Sequence, residues 1–558
     1  MPQWSGFLLK AAVIFLACFW IYSPVFHGEW LWDDDYLLTN NAVVQSPDRL
    51  GSLWFAPATA DYLPMTMSAL WLQWRFFGMD STGYHIVSIL LHALAACLLW
   101  ALLHGMRIRA AWMGGLFFAV HPLCVESVAW ISELKNTLSL PFFLAAAWCI
   151  VRFEQESKRR FYWGALAFFL AAMLAKSSAV MFPFVMLLHA WWLRGVVTRR
   201  DLLRSAPFFL VSLLLGLVTL SFQLNRAIGD EPIPIGGFDS RLAIAGMAVL
   251  FYLGKIFWPI PLLPIYPQWK ANPPEFYQFL PWVVILGFLI FSWQRRKTWG
   301  RHALMAFGFY LLTLLPVLGF ISMSYMRVGW VADHFVYIPM ISVIAATAAV
   351  TGHIFDQARD TGKQIIFSLA VVGAGGLSIL SHNYAAVWQN EDKLWSYTLD
   401  YNWNCWQAHN RIGAREFNRG KVDLALPHFR EAVRLRPDLA ETRNNLGSGI
   451  LATKDTKGAI LEFREALRLS PAIAAIRSNL ARALWLDGQT SEASKFYAEL
   501  ASQFPENPTF LCNLGVSLYQ SGNVKDSIKC FEKALQIAPE MEDARTNLET
   551  ARKALLEN

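Results

Sequence analysis

Residues 83–104 read GYHIVSILLHALAACLLWALLH and contain no Asp, Glu, Lys or Arg. About 20 apolar residues in a helix cross the hydrocarbon core of a bilayer, so this stretch predicts a membrane-spanning helix. Similar apolar stretches fill the chain before residue 390, near residues 6–27, 110–122, 137–152, 161–175, 178–193, 206–222, 241–258, 279–293, 303–320, 336–355 and 364–381. The sequence therefore predicts an integral membrane protein with many crossings.

Composition separates this region from the rest of the chain. Only 16% of the 558 residues are charged, against about 25% in soluble domains, and the deficit lies before residue 390. The net charge of +7 comes from basic clusters between apolar stretches, a pattern that reflects membrane orientation. We therefore expect no nucleic-acid partner. The seven Cys form no CxxC pair and no metal-ligand spacing, which argues against a disulfide scaffold.

The basic clusters predict which ends of the helices face the cytoplasm, because cytoplasmic loops carry an excess of Lys and Arg. The clusters are Arg107 with Arg109, Arg152 with residues 158–160, Arg194 with Arg199, Arg200 and Arg204, and residues 295–297 with Arg301. The polar loop 28–82 and the loops 123–136 and 321–335 are then outside. No small-residue cleavage site follows the first apolar stretch, so we expect a retained signal anchor.

The stretch 241–258 does not fit this alternation. If it crossed fully, the basic cluster at 295–301 would lie outside, and the proline-rich segment WPIPLLPIYP follows it at 258–267. We predict that 241–258 is re-entrant or lies in the interface, covered by protein because bare backbone cannot face lipid. Eleven crossings then remain, and everything after residue 390 is delivered outside.

Residues 404–558 repeat with a period of 34 residues. Proline, small residues, an aromatic residue and asparagine all keep this step, at Pro437, Pro471, Pro505 and Pro539; Gly413, Gly447, Ala481 and Gly515; Phe429, Phe463, Tyr497 and Phe531; and Asn445, Asn479, Asn513 and Asn547. This is the tetratricopeptide (TPR) signature. Small residues let paired helices approach, and proline ends the second helix. We predict four repeats and a charged capping helix near 541–556.

Three successive acids follow the first apolar stretch, in Trp32-Asp33-Asp34-Asp35-Tyr36. Mutual repulsion raises the proton affinity of at least one carboxylate, and such a group can act as a general base toward a hydroxyl. The alternative is a solvated acidic turn or a helix cap.

Other ionisable side chains are predicted to lie on the same outer side of the membrane. Each alone fits a capping or snorkelling role, but ionisable residues at membrane depth indicate function. Together they suit a lipid-linked phosphate, to which a lysine offers a point charge. The candidates are His121, Glu126, Glu133, Lys135, Lys176, Asp333, His334 and Tyr337.

Five blocks of this sequence resemble one family, the transmembrane-and-TPR O-mannosyltransferases (TMTC) and their bacterial relatives. The blocks are WDDDYLLTNN at 32–41, YLPMT at 62–66 with RFFG at 75–78, HPLCVESVAWISELKNTLS at 121–139, AKSS at 175–178 with Pro183, and ADHFVYIP at 332–339. Together with the repeats, the resemblance covers nearly the whole chain.

The resemblance implies an all-α GT-C glycosyltransferase: a polytopic domain at 1–390 followed by a TPR solenoid at 404–558. Such enzymes move a sugar, mannose or a similar hexose, from a polyprenyl phosphate to an outer-side hydroxyl. It assigns the base to Asp33 or Asp34, with Asp35 as an extra acid beside the donor site. With the charge alternation, it also implies that the polytopic domain lies in the cytoplasmic membrane and that the repeats lie in the periplasm. The groove of the repeats is then expected to bind a protein acceptor. No metal-ligand cluster is evident in the sequence, and metal dependence stays open.

The chain departs from the family pattern at three positions. Relatives often carry Glu-Arg-Lys-Asp where Glu133-Leu134-Lys135-Asn136 stands here, and usually have Arg at the position of His334. His carries at most part of a positive charge near neutral pH. A non-catalytic membrane scaffold that gathers partners through its repeats is therefore an alternative. A lipid-linked saccharide transporter is a weaker one, because the apolar stretches carry few polar residues.

Overall fold

A computed structural model describes residues 2–57, 59–228, 233 and 235–557. Two compact units divide the chain, Met1–Tyr397 and Thr398–Asn558. Helices and loops make up all of the described residues, which include no strand. The predicted all-α class, with apolar helices followed by helical repeats, is confirmed.

The first unit contains long apolar helices joined by short ones. Seven of the described helices are long and apolar enough to cross a membrane, or up to eight if the pair bent by 56° at residues 120–121 counts as one span. The number of eleven crossings stays a prediction. The helices are α1 (Pro2–Ile21), α2 (Ala42–Gln45), α3 (Leu50–Phe55), α4 (Pro64–Phe77), α5 (Ser81–Gly105), α6 (Ala111–Ala119), α7 (Val125–Ala129), α8 (Leu134–Glu156), α9 (Arg159–Ala175), α10 (Phe182–Arg194), α11 (Arg199–Phe222), α12 (Phe238–Phe257), α13 (Leu280–Gln294), α14 (Gly300–Leu314), α15 (Met340–Gln357) and α16 (Asp360–Val387). The next helix, α17 (Glu391–Tyr401), begins in the first unit and ends in the second.

The helix ends that carry the basic clusters lie together. Polar contacts join them: Gln155 Nε2 donates to the Gly105 carbonyl at 2.9 Å, Tyr162 Oη donates to the Arg204 carbonyl at 3.0 Å, and Arg109 pairs with Asp356. Helix ends joined by such contacts lie on the same side of a bilayer. The contacts therefore agree with the cytoplasmic side predicted from charge.

Helix α12 corresponds to the stretch that did not fit the alternation. It is a single helix of 20 residues, about 30 Å long. Near its start, Arg241 Nη1 donates to the Gly319 carbonyl at 2.7 Å. Near its end, Tyr252 Oη donates to the Ala332 carbonyl at 3.0 Å. Both ends thus contact the segment that the charges place outside. Because α12 is also one of the seven helices that are long and apolar enough to cross a membrane, its predicted re-entrant or interfacial position stays a prediction.

The second unit consists of antiparallel helix pairs followed by a single helix. The pairs are α18 (Trp406–Asn418) with α19 (Val422–Leu435), α20 (Ala440–Ala452) with α21 (Thr456–Leu469), α22 (Ala474–Leu486) with α23 (Thr490–Gln503), and α24 (Pro508–Gln520) with α25 (Val524–Ile537); α26 (Glu542–Glu557) follows them. Pro437, Pro471, Pro505 and Pro539 each lie two residues beyond the second helix of a pair. The described residues of this unit thus contain four helix pairs, each 34 residues from the next, and one last helix.

The repeat positions explain how each pair packs. A Cβ added at Gly447 would lie 2.8 Å from the Phe463 ring, and one at Gly515 would lie 2.6 Å from Phe531. Glycine is therefore needed at these positions for the two helices to approach. Side-chain amides join neighbouring repeats, since Asn445 Nδ2 donates to Asn410 Oδ1 at 3.0 Å.

We expect both ends of α12 to be accessible from outside the cell. Phe238 and Trp258, each 71% exposed, are suitable positions for single cysteines in a chain whose native cysteines have been replaced. Both Phe238→Cys and Trp258→Cys should react with a membrane-impermeant maleimide on intact cells. Lys297→Cys, in the cytoplasmic cluster, is the control and should react only after permeabilisation. Protection of one α12 end in intact cells would show that the helix crosses.

Candidate active site

The three acids of the first loop differ in exposure. Asp34 is only 1% exposed, whereas Asp33 and Asp35 are exposed. A tight turn leads into a π-helix at Asp35–Thr39, and this turn directs the middle side chain inward. Asp35 accepts a hydrogen bond from Thr39 Oγ1 at 2.8 Å. Of the two residues that match the family pair, Asp33 is therefore the exposed one.

Asp34 joins the first loop to the turn before α8. Its Oδ2 accepts from the Leu31 N–H at 2.8 Å. Its Oδ1 accepts from the N–H of Ser132 at 2.8 Å and from the Ser132 hydroxyl at 2.5 Å. Burial raises the pKa of Asp34 to about 7, against the opposing effect of these bonds. With both oxygens engaged and almost no exposure, Asp34 is suited to fixing the loop.

A charged cluster lies next to this connection, on Glu133 and its neighbours. Lys135 Nζ is 2.8 Å and Lys176 Nζ 3.5 Å from the buried Glu133 carboxylate. Asn136 Oδ1 accepts from Lys176 at 2.7 Å, and Asn136 Nδ2 donates to Glu133. Burial lowers the pKa of Lys176, while the charge of Glu133 opposes that effect. Two lysines thus share one carboxylate.

The cluster extends to the first loop and to the segment after α14. Lys135 is close enough to Asp33 and Asp61 to interact electrostatically with both carboxylates. Glu133 is likewise close enough to interact electrostatically with His334. The buried Glu126 accepts twice from His334, from its N–H at 2.9 Å and from Nδ1 at 2.9 Å. The structure therefore brings four of the quoted blocks together, at 32–41, 121–139, 175–178 and 332–339.

Other predicted residues have buried partners of their own. Asp333 accepts from Tyr266 Oη at 2.8 Å and from Tyr384 Oη at 3.3 Å. Burial raises the pKa of Asp333, and the nearby charge of Glu126 raises it further. His121 caps the turn that follows it and contacts the Ile256 carbonyl at 2.9 Å. These contacts hold segments in place; a role in donor binding stays a prediction for each residue.

Tyr337 is buried against α5 and α6. It is 1% exposed, and its hydroxyl is 2.8 Å from His92 Nδ1. The ring packs against Phe118, with the two centroids 5.4 Å apart. Its donor-binding role also stays a prediction.

Sequence reasoning missed the residues that hold the acids in place. Ser132 was not singled out, although it lies inside the quoted block at 121–139 and directly before Glu133. Asp61 was also missed; it accepts from Gln223, whose Oε1 in turn accepts from the Ser324 N–H at 3.2 Å. A polar residue next to a predicted site residue was the only available signal. Among the described residues, no group of three or more His, Cys, Asp or Glu side chains is arranged to hold a metal ion.

Comparisons with known proteins find similarities to both parts of the chain. A family model described as dolichyl-phosphate-mannose-protein mannosyltransferase matches residues 61–224, beginning after the acidic loop. Tetratricopeptide models match residues 410–473, 451–511 and 508–541. The chain thus combines a membrane region of mannosyltransferase type with TPR repeats.

Curated relatives cover most of the chain. The protein O-mannosyl-transferase TMTC4 of Mus musculus is 22% identical over 512 residues, covering 77% of this chain and 66% of that protein. The Tmtc3 protein O-mannosyl-transferase of Drosophila melanogaster is 22% identical over 495 residues, covering 71% of this chain and 51% of that protein. The resemblance predicted from the sequence is confirmed: this chain is a relative of the TMTC protein O-mannosyl-transferases. It spans about half to two thirds of the length of these relatives.

Among solved structures, a crystal structure of MamA protein is 18% identical, with a TM-score of 0.25. That match covers 26% of this chain and 81% of the MamA chain.

We predict that Asp34 makes the stability of the first unit depend on pH. Because its folded pKa of about 7 lies above the unfolded value, the folded state binds the proton more tightly. This stabilisation of the folded state is complete below about pH 4. It is lost as the pH rises from there through 7, and the free energy of unfolding falls by up to about 4 kcal/mol. The thermal midpoint of the purified protein, measured from pH 5 to pH 8, should fall more steeply in wild type than in Asp34→Asn. Asp35→Asn, the exposed control, should keep the wild-type slope; equal slopes in all three proteins would contradict the prediction.

Proposed function

We propose that this protein transfers a mannosyl or similar hexosyl group from a polyprenyl phosphate to a Ser or Thr hydroxyl of a protein outside the cytoplasm. The observation that carries the proposal is the exposed Asp33 on a loop fixed by Asp34, within electrostatic range of Lys135. Its relatives are named protein O-mannosyl-transferases, which supports the reaction class.

In this proposal Asp33 is the general base. As the acceptor oxygen attacks the anomeric carbon, its proton passes to the Asp33 carboxylate. The bond from the anomeric carbon to the phosphate oxygen breaks, and the lipid phosphate leaves with the bonding electrons. An exposed side chain satisfies the geometric requirement that a base reach its proton. The buried Asp34 holds Asp33 in position.

The lysines suit the leaving group. Lys135, Lys176 and Glu133 together carry one net positive charge, which matches the single negative charge of a phosphodiester. The phosphate gains a second negative charge as the sugar departs. Cations fixed in a partly buried cluster stabilise such developing charge better than cations in water do. Lys135 and Lys176 are therefore the proposed contacts of the donor phosphate.

For the repeats, we propose acceptor binding outside the cytoplasm, in the periplasm of a cell whose cytoplasmic membrane holds the first unit. The charge alternation supports this side. Stacked repeats form extended surfaces suited to protein segments. Amides such as Asn445 and Asn479, which join neighbouring repeats, leave further hydrogen-bonding capacity on each side chain.

A second candidate function is a non-catalytic scaffold. It is favoured by the pairing of His334 with Glu126 and of Asn136 with Glu133, because a structural core would show such satisfied polar contacts. In this case the repeats would carry the whole function. Deleting residues 404–558 would then remove it, and substitutions in the acidic loop would have no effect.

Asp33→Asn should lower the transfer rate by about 100-fold or more, since it removes the base. Asp48→Asn is a matched control: it removes the same charge from an exposed position in the same loop and should stay within about threefold of wild type. The measurement is transfer from a radiolabelled polyprenyl-phosphate mannose to membrane proteins, with mass spectrometry of the modified sites. Full activity of Asp33→Asn would refute its role as the base, and absence of transfer by the wild type would favour the scaffold.

Lys176→Gln should raise the KM for the lipid donor by roughly tenfold, because it removes a charge from the proposed phosphate contact. Lys158→Gln removes a lysine from the cytoplasmic end of the unit and should leave the KM unchanged. Initial rates at several donor concentrations separate KM from kcat. An unchanged donor KM in Lys176→Gln would place the phosphate elsewhere.

A further inference from the structure

The residue directly before the proposed base has an unusual backbone conformation. Trp32 has a φ of +49°, in the left-handed region. A residue with a Cβ is strained there, and an aromatic residue adopts it rarely. Such strain persists only where surrounding contacts impose it, and it concentrates at functional sites. The contacts that impose it at Trp32 therefore also determine where Asp33 points.

Aromatic rings hold the Trp32 side chain on two sides. Its ring stacks on Trp130, with centroids 4.9 Å apart and planes 16° apart. The edge of Trp395, in α17, lies 5.2 Å away at 63°. Trp130 also donates from Nε1 to the Leu31 carbonyl at 3.3 Å. The ring is thus fixed between the second outer loop and the first unit's last helix.

The backbone of Trp32 is held by a carboxylate from the same helix. The Trp32 N–H donates to Glu391 Oε1 at 3.3 Å, and Glu391 is 8% exposed. A second backbone bond, from the Glu29 N–H to the Gln389 carbonyl at 2.8 Å, brings the two segments together. A buried N–H requires an acceptor, and in this conformation Glu391 supplies it.

We propose that Glu391 is a positioning residue for glycosyl transfer, which fixes Trp32 in its left-handed conformation and so aims Asp33 at the acceptor hydroxyl. This inference rests on the proposed function. Glu391 acts through the Trp32 backbone and does not touch the substrate. Its neighbour Asp392, one residue further along α17, is exposed.

Two substitutions separate the reach of the side chain from its charge. Glu391→Asp keeps the negative charge at the start of α17 but withdraws the oxygen by one methylene, so the bond to Trp32 is lost. Glu391→Gln keeps an oxygen at the same reach and loses the charge. We expect kcat to fall by roughly 10- to 100-fold in Glu391→Asp, because small misplacements of a reacting group are costly. The donor KM should be unchanged, and Glu391→Gln should stay within about threefold of wild type.

Hydrogen exchange provides a readout that does not depend on catalysis. In purified protein in nanodiscs, a peptide covering residues 28–40 should exchange at least severalfold faster in Glu391→Asp than in wild type, and at the wild-type rate in Glu391→Gln. The inference would be overturned if Glu391→Asp kept the wild-type exchange rate and the wild-type kcat. It would also be overturned if Glu391→Gln lost kcat while Glu391→Asp did not. A fully active Asp33→Asn would refute both the proposed base and the inference that Glu391 aims it. If the exchange of residues 28–40 still rose in Glu391→Asp, the contact between Glu391 and Trp32 would nevertheless be supported.

Discussion

The arrangement of the candidate site depends on one carboxylate, Asp34. It ties the loop that follows α1 to the turn that precedes α8, through three hydrogen bonds to Leu31 and Ser132. Asp33, directly before Asp34, is thereby exposed. Glu133, directly after Ser132, lies in the charged cluster with Lys135 and Lys176. A buried carboxylate is costly unless its oxygens are bonded. This cost makes the connection specific: the loop has one low-energy position against α8.

The charges around this connection follow the same constraint. Glu133 and Glu126 are almost fully buried, and each has cationic or hydrogen-bonding partners from a different segment. Removing any one partner would leave a buried carboxylate undercompensated, which is more costly than never forming the pair. The cluster therefore holds α8, the turn after α9 and the segment after α14 together.

The sequence predicted those features that depend on period and on local composition. A step of 34 residues specifies the repeats because Gly447 must admit the ring of Phe463. Apolar length specifies the membrane helices. The pairing of Asp34 with Ser132, 98 residues apart, leaves no local pattern. Three acids in a row also look equivalent until a turn buries the middle one, so the exposed Asp33 could be separated from Asp34 only in the structure.

The departures from the family pattern can be read as charge balance in this cluster. Leu134 stands where relatives often carry Arg, and Asn136 stands where they often carry Asp, so one cation and one anion are absent together. The amide of Asn136 donates to Glu133 and accepts from Lys176, two roles that a carboxylate could not combine without binding a proton. His334 in turn bonds Glu126 through both its backbone and its ring. The two changes at 134 and 136 thus preserve the net charge of the cluster, and the replacement of Arg by His334 is the one that alters it.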